Sequence, residues 1–202
     1  MATMGRPRTF DRDKAIDDAM HLFWQHGYES TSLAQLKAAI NSGISAPSFY
    51  AAFGSKEALF RECVQRYLAT HGQVTEFLWD ASLPPREALE TTMRASAKMQ
   101  CDPGHPPGCM VALGTMSATS AGHADVTEPL ARSRQRTCEG IRSVLERAAA
   151  SGELKKEVDI SALTTLFSTF LFGVSIQVRD GVSLDRLNSA ITLIMRQWDA
   201  SA

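Results

Sequence analysis

The stretch of residues 31–56, TSLAQLKAAINSGISAPSFYAAFGSK, constrains the fold more than any other part of the chain. Apolar residues recur at helical spacing in its first part, where Ser32 and Gln35 form the pattern of a capping box. Residues 41–43, NSG, favour a turn, and Ser45 can cap a second helix. The stretch therefore predicts a short helix, a turn, a second short helix and the beginning of a third.

Two short helices joined by a glycine-containing turn form a helix-turn-helix, whose second helix enters the major groove of DNA. An ordinary corner between two helices has the same periodicity. The spacing alone therefore leaves a DNA-binding motif and a plain helical corner as equal interpretations.

Two longer stretches, GRPRTFDRDKAIDDAMHLFWQHGYESTSLAQL and SAPSFYAAFGSKEALF, resemble the N-terminal DNA-binding domain of the TetR family of bacterial transcriptional regulators. The resemblance covers about residues 6–67. The residues that carry it are His26, Gly27, Tyr28, Thr31, Ser32, Ser48, Tyr50, Phe53 and the run from Gly54 to Leu59. The rest of the chain is similar to the family only in length and helical character.

The resemblance implies an all-α fold with two domains. Residues 1–55 would form an N-terminal arm and a three-helix DNA-binding domain with a helix-turn-helix, and residues 56–202 a helical effector-binding and dimerisation domain. The implied function is a ligand-responsive transcriptional regulator, most simply a repressor, that binds a palindromic operator on double-stranded DNA as a homodimer. Its effector would be a small molecule of unknown identity.

The second helix of the motif contains no Arg, Lys, Asn, Gln, Asp or Glu, so the usual readers of guanine and adenine are absent. We expect base contacts from alanine methyls and hydroxyls, with DNA shape contributing and phosphate contacts supplying most of the affinity. An arm with two arginines suits phosphates or the minor groove. The predicted DNA-binding residues are Arg6, Arg8, Thr31, Ser32, Lys37, Ser45, Ala46, Pro47, Ser48, Tyr50, Ala51 and Lys56.

The turn of the motif is two residues longer than is usual in the family, within the segment 40–44. Either the first helix continues further or the turn bulges. After the motif, one long helix is predicted from Ser55 to Asp80, crossing both domains, with Gly72 as a candidate kink. Residues 85–100, 125–152, 160–178 and 183–200 predict further helices.

Charge and cysteine content bound the class of protein. The formal net charge is -1, so any charge that attracts DNA must be local. The four cysteines are too scattered for a disulfide scaffold, and the N-terminus lacks the apolar segment of a signal peptide. Residues 160–178 are uncharged and long enough to span a bilayer, but polar residues interrupt them and favour a buried helix. A cytoplasmic protein is expected.

The loop CDPGHPPGC, residues 101–109, leaves an alternative open. Cys101, His105 and Cys109 could bind a soft metal, or the two cysteines could form a redox disulfide. The set lacks a fourth ligand and the C-x2-C spacing, so no metal and no cofactor is predicted. A thiol- or metal-responsive regulator therefore remains the alternative to a purely ligand-responsive one.

The family implies a role for the remaining helices. The segment 109–121 is rich in small residues and would be either a packed core helix or a wall of the effector cavity. The candidate effector-binding residues are Met99, Met110, Leu113 and Met116. The last two helices would pair across the dimer axis. The predicted interface residues are Leu163, Phe167, Phe170, Leu171, Val174, Leu187, Ile191, Ile194 and Trp198.

Two functions of other classes are less well supported. A helical protein-interaction module without a DNA role would leave the arginine arm and Lys56 without a purpose. A cysteine-dependent enzyme lacks a nucleophile elbow or another catalytic motif in this sequence. We therefore predict that the protein is not an enzyme.

Overall fold

The computed structural model describes residues 10–114 and 124–202, and every secondary-structure element in these two ranges is helical. The predicted all-α fold is therefore confirmed. The elements are α1 (Arg12–His26), α2 (Leu33–Ala39), a 3₁₀ turn (Ile40–Ser42), α3 (Ala46–Phe53), α4 (Lys56–Ala69), a 3₁₀ segment (His71–Trp79), α5 (Pro85–Gln100), α6 (Met110–Leu113), α7 (Ala124–Ser151), α8 (Ile160–Arg179) and α9 (Leu184–Ser201).

Side-chain caps define the beginnings of the four N-terminal helices. Asp11, Ser32, Ser45 and Ser55 each accept a hydrogen bond from a backbone N–H at the third position after them. Ser32 and Gln35 form the complete capping box that their spacing predicts. Each cap satisfies an N–H that has no partner within its own helix, which is typically worth about 1 kcal/mol.

An aromatic cluster holds α1 to α4 together, and we call these four helices the head. Phe23 of α1 and Phe60 of α4 meet edge to face with ring centroids 5.0 Å apart. Phe49 and Phe53 of α3 are buried in the same core. This core also contains apolar side chains of α6 and α7, so it continues past the end of the helix-turn-helix into the rest of the molecule.

The long helix predicted from Ser55 to Asp80 is not continuous, which corrects the sequence-based expectation. It ends at Ala69, and residues 71–79 form the 3₁₀ segment instead. The Thr70 hydroxyl donates to the Arg66 carbonyl, and the Thr70 backbone leaves the helical region. A β carbon at Gly72 would lie 3.3 Å from the Tyr67 carbonyl oxygen, so the sharp change of direction suits a glycine.

The second core lies among α5, α7, α8 and α9, which with the 3₁₀ segment form the body of the molecule. Helix α5 runs between α7 and α9, and its residues Ala88, Leu89, Met93 and Ala97 are buried. Polar contacts on its outer side join it to α9. Arg86 pairs with Asp199, and Arg94 donates to the Thr192 hydroxyl, while Glu90 bridges the two arginines.

Most of the predicted dimer-interface residues point into the protomer, which corrects that prediction. Six of them are buried in the core of their own chain, and only three are partly exposed. The buried six are Phe167, Leu171, Val174, Leu187, Ile191 and Trp198. The partly exposed three are Leu163, Phe170 and Ile194. Because α8 is apolar around much of its circumference, periodicity identified a buried face but did not distinguish it from the face left for a partner.

The outward face of α8 carries Ala162, Leu166, Thr169, Gly173 and Ile176, all of them exposed and spaced by three or four residues. Leu166 is 40% and Ile176 54% exposed, and Leu193 on neighbouring α9 is 56% exposed. Within the described residues α8 is also the one helix whose length and composition would allow it to cross a membrane. Core helices of soluble proteins share that property, and a third of its most apolar window is buried here.

Candidate DNA-binding interface and effector cavity

The turn between α2 and α3 bulges, and α2 does not continue. Asn41 and Ser42 both have positive φ, 49° and 63°, and Gly43 follows at 114°. The bulge is tied to α1, because the Asn41 amide side chain donates to the Asp11 carbonyl and the Asn41 N–H donates to Asp18. The lengthened turn is therefore held against the beginning of α1.

Helix α3 presents its polar and small side chains outwards, as a DNA-reading helix must. Phe49 and Phe53 face the core, while Tyr50 on the opposite side is 50% exposed. The Ser45 and Ser48 hydroxyls lie 2.8 Å apart on the exposed surface. Of the other predicted contacts, Pro47 and Ala51 are exposed and Ala46 is half-buried.

The predicted phosphate-binding residues that the structure describes differ in exposure. Ser32 is exposed, and Lys37 and Lys56 are half-buried. Thr31 is fully buried and its hydroxyl donates to the Gly27 carbonyl at 2.7 Å, so this hydroxyl closes the end of α1 and is not free for a phosphate. Arg6 and Arg8 lie outside the described residues.

Lys56 is held in a defined position beside the motif. Its ammonium group lies 4.4 Å from the centre of the Tyr28 ring, a cation–π contact. Burial lowers the pKa of Lys56, and the charge of Glu29 raises it by a smaller amount. The contact keeps the cation close to the N-terminus of α4, which begins three residues after the end of α3.

A joint between the head and the body forms around Trp24 near the end of α1. Its indole N–H donates to the Gly108 carbonyl at 3.1 Å, and its ring stacks on His105 at 4.4 Å between centroids. Arg179 at the end of α8 donates to the Trp24 and Gln25 carbonyls. The predicted loop 101–109 therefore lies between α1 and α8, a position that sequence reasoning did not anticipate.

Three histidines meet at this joint. His71 lies edge-on to His105, with ring centroids 4.7 Å apart, and His21 is at the edge of Trp24. Burial lowers the pKa of His21 and of His71, and the nearby His105 lowers each further. Asp17 opposes the shift at both histidines, Asp18 at His21 and Asp102 at His71, so neutral imidazoles are favoured despite these carboxylates.

A small cavity lies in the body next to this joint. It has a volume of about 30 Å³, room for roughly one or two water molecules. Its walls come from α4, the 3₁₀ segment, α5, α6, α7 and α8. The lining residues are Tyr67, Gly72, Val74, Thr75, Ser96, Met99, Gln100, Cys109, Val111, Ala112, Ser133, Thr137, Leu171 and Phe172.

The candidate effector-binding residues have different positions. Met99 lines the cavity, whereas Met110 is buried in the head core and Leu113 is not part of the lining. Met116 lies outside the described residues. The polar residues Gln100, Thr137 and Ser96 were missed, because a buried polar residue on a helix leaves no distinct sequence signal.

The loop cysteines are free thiols with different surroundings. Cys109 lines the cavity and its sulfur accepts a hydrogen bond from the Tyr67 hydroxyl at 3.2 Å. Burial raises the pKa of the Cys101 thiol, which disfavours its thiolate. Within residues 10–114 and 124–202 no group of three or more His, Cys, Asp or Glu side chains is arranged to hold a metal ion.

Comparison with known proteins extends these observations. A family model described as bacterial regulatory proteins of the tetR family matches residues 15–63. The HTH-type transcriptional repressor ComR of Escherichia coli is 34% identical over 96% of this chain and 91% of its own length. The repressor BdcR of the same organism is 29% identical over 91% of this chain and 86% of its own.

A solved structure covers nearly the whole chain. CifR, a TetR family transcriptional regulator crystallised as a cysteine variant with a 26-base-pair operator duplex, superposes with a TM-score of 0.83 at 37% sequence identity. The alignment spans 96% of this chain and 100% of that one. With similarity of this extent on both sides of the joint, this chain belongs to the TetR family of bacterial transcriptional regulators.

Proposed function

We propose that the protein is a ligand-responsive transcriptional repressor that binds a palindromic operator as a homodimer. The observation that carries the proposal is the exposed face of α3, held by a capped, aromatic-packed helix-turn-helix. Its relatives ComR and BdcR are named repressors, and CifR was solved on operator DNA. The proposed DNA contacts lie in residues 1–55 and at Lys56, the first residue beyond that predicted boundary.

Base recognition is assigned to α3 and its flanks. Ser45, Ser48 and Tyr50 offer hydroxyls, and the methyls of Ala46 and Ala51 can contact thymine. Arg6, Arg8, Ser32, Lys37 and Lys56 are the proposed phosphate and minor-groove contacts, with Pro47 packing beside them. This set is poor in bidentate base readers, so affinity should depend strongly on phosphate contacts and on salt.

The outward face of α8 is the proposed dimer surface. Leu166, Gly173 and Ile176 lie along one exposed line, and Leu193 of α9 lies beside it. Apart from its chain neighbours and the nearby backbone of α8, no heavy atom of the described residues lies within 4 Å of a β carbon built on Gly173, so a second helix can approach this point closely. Two copies of the face around a two-fold axis would place two reading helices on one side of the dimer.

Effector binding is proposed to act through the joint. Cys109 lines the cavity, and the carbonyl of the preceding Gly108 accepts the hydrogen bond from Trp24. Tyr67 of α4 contacts both the cavity and the Trp24 ring. A ligand that displaces these walls would shift α1 and α4. By thermodynamic linkage, bound DNA would lower the affinity for the ligand by the same factor as bound ligand lowers the affinity for DNA.

The test is selection of a duplex from a randomised library, followed by binding measured by fluorescence anisotropy at several salt concentrations. Lys56→Ala should weaken binding to all selected sequences by a similar factor and reduce the salt dependence. Ile176→Asp should give a monomer in light scattering and lose at least a hundredfold in duplex affinity. A monomeric wild-type protein, or a library from which no palindrome emerges, would refute the proposal.

A thiol-responsive regulator is the second candidate, because Cys109 lies in the cavity wall. Under that alternative an oxidant releases the duplex, and replacing Cys101 and Cys109 with serine abolishes this release. Under the first candidate an oxidant leaves duplex binding of the wild-type protein unchanged. We further propose that the protein acts in the cytoplasm, where its DNA lies, and has no catalytic activity.

A further inference from the structure

We propose that the effector is a small, uncharged and largely apolar molecule carrying one hydrogen-bonding oxygen, bound in the cavity beside Gln100. This inference rests on the proposed function and specifies the ligand class of that site. Four features of the cavity support it: its lining, its polar groups, its size and its surroundings.

The lining carries no formal charge. Among the residues described, those that line the cavity include no Asp, Glu, Lys, Arg or His. Arg134 donates to the Val111 carbonyl at 2.8 Å but is not part of the lining. An ionised ligand would lose its hydration here without gaining a charged partner, and the cost of burying an unpaired charge is large.

The polar groups present are suited to a neutral oxygen. The Gln100 side chain is almost fully buried; its amide nitrogen donates to Ser96 and its carbonyl accepts from Ser175. A carboxamide has two N–H donors, and these contacts occupy one. The hydroxyls of Thr75 and Thr137 donate to backbone carbonyls, so their oxygens remain acceptors. A ketone, ester or alcohol oxygen is complementary to this set.

The size of the cavity requires a movable wall. Pockets that enclose an organic ligand usually measure about 300 Å³ or more, and the 30 Å³ here is far below that. Gly72 and Thr75 of the 3₁₀ segment line both the cavity and an open groove of about 530 Å³ on the other side. Because 3₁₀ hydrogen bonds have poorer geometry than those of an α-helix, this thin wall is the proposed point of entry.

The groove itself does not favour an anion. Its three arginines each pair with a carboxylate: Arg61 with Glu57, Arg132 with Glu128, and Arg136 with Glu76. An anionic ligand would have to displace one of these acids. The groove therefore suits passage of a neutral molecule better than storage of a charged one.

The experiment compares four probes with the same carbon chain, namely 2-hexanone, 1-hexanol, hexanoate and hexylammonium. Binding to the full-length protein is measured by calorimetry at neutral pH, and release of a selected duplex by anisotropy. We expect 2-hexanone and 1-hexanol to bind and to release the duplex, and the two ions to do neither at equal concentration. Binding by hexanoate or hexylammonium as tight as that of the ketone, or no binding by either neutral probe, would overturn the proposal.

Gln100→Leu should lower the affinity for the neutral probes by about tenfold, the usual effect of losing one or two hydrogen bonds. The matched control is Gln65→Leu in the outer groove, which should leave binding unchanged. Thr137→Val, a substitution of similar shape, gives a second measurement if Gln100→Leu does not fold. Loss of binding in Gln65→Leu alone would place the ligand in the groove and contradict the proposal. Duplex binding without a probe tests the proposed function separately, so the proposed function and the proposed ligand class can fail independently.

Discussion

The reading surface of the head and the cavity of the body are built in opposite ways. Helix α3 begins at a side-chain cap, Ser45, and rests on the buried rings of Phe49 and Phe53. The cavity is bounded on one side by a 3₁₀ segment that has no side-chain cap and contains Gly72. The first region starts at a side-chain cap above buried rings, and the second is closed by an uncapped 3₁₀ segment that packing against α5 and α7 holds in place.

The difference corresponds to what each region must bind. A duplex presents a preformed surface, and a helix already held in place loses little freedom when it docks. A cavity of about 30 Å³ must deform before it can admit a ligand, and we propose that the 3₁₀ wall is the part that moves. The joint at Trp24 connects the two regions, and the following experiments test each part of this contrast.

The largest effect should come from the support of the head. Phe49→Ala removes a fully buried ring and should cost about 3–5 kcal/mol in the free energy of unfolding. Denaturant titration followed by circular dichroism measures it. Phe77→Ala in the 3₁₀ segment, where the ring is 37% exposed, should cost less than about 1 kcal/mol. Equal losses in the two variants would remove the contrast between head and wall.

The next effect concerns the joint. Trp24→Phe keeps an aromatic ring but removes the hydrogen bond to the Gly108 carbonyl. We expect the variant to bind effector alone and duplex alone as the wild type does. The factor by which bound effector lowers duplex affinity should fall by up to about tenfold. The measurement is duplex affinity with and without saturating effector. Ser189→Ala, which removes a hydrogen bond to a backbone carbonyl within α9, is the control and should leave this factor unchanged.

A smaller effect is expected from the capping box of α2. Ser32→Ala should reduce the stability of the head by about 1 kcal/mol, because the N–H of Gln35 loses its acceptor. Thermal unfolding is a suitable measurement. Ser189→Ala on α9 removes an exposed hydroxyl that bonds only within its own helix and should change stability little. An unchanged melting temperature in Ser32→Ala would mean that the cap does not fix the helix start.

The smallest effect should be a dependence of stability on pH. The pKa values of His21 and His71 are lowered in the folded protein, mainly by burial. The unfolded chain therefore takes up protons first as the pH falls below about 6.5, so stability is complete above this pH and decreases below it. Denaturant titrations between pH 7.5 and 5.5 measure the decrease, which His71→Gln should reduce. Higher stability at the acidic end would contradict the assignment.

The sequence predicted the head well because its signals are local. Caps such as Ser32 and Ser45 and the apolar spacing of α1 depend on neighbours within one turn. Features that depend on packing were not predictable in the same way. Contacts between distant segments decide that α4 ends at Ala69 and that Trp24 meets Gly108. They also decide that Ile176 faces outwards and Val174 inwards.

The bulged turn before α3 has a consequence for how specificity can diverge. Because Asn41 is anchored to Asp11 and Asp18, the lengthened connection is secured against α1 and does not hang loose. Insertions at this point could change the orientation of α3 in the groove of DNA while Phe49 and Phe53 remain the buried residues that support it. We therefore expect the length of this turn to influence which operator sequence the protein recognises.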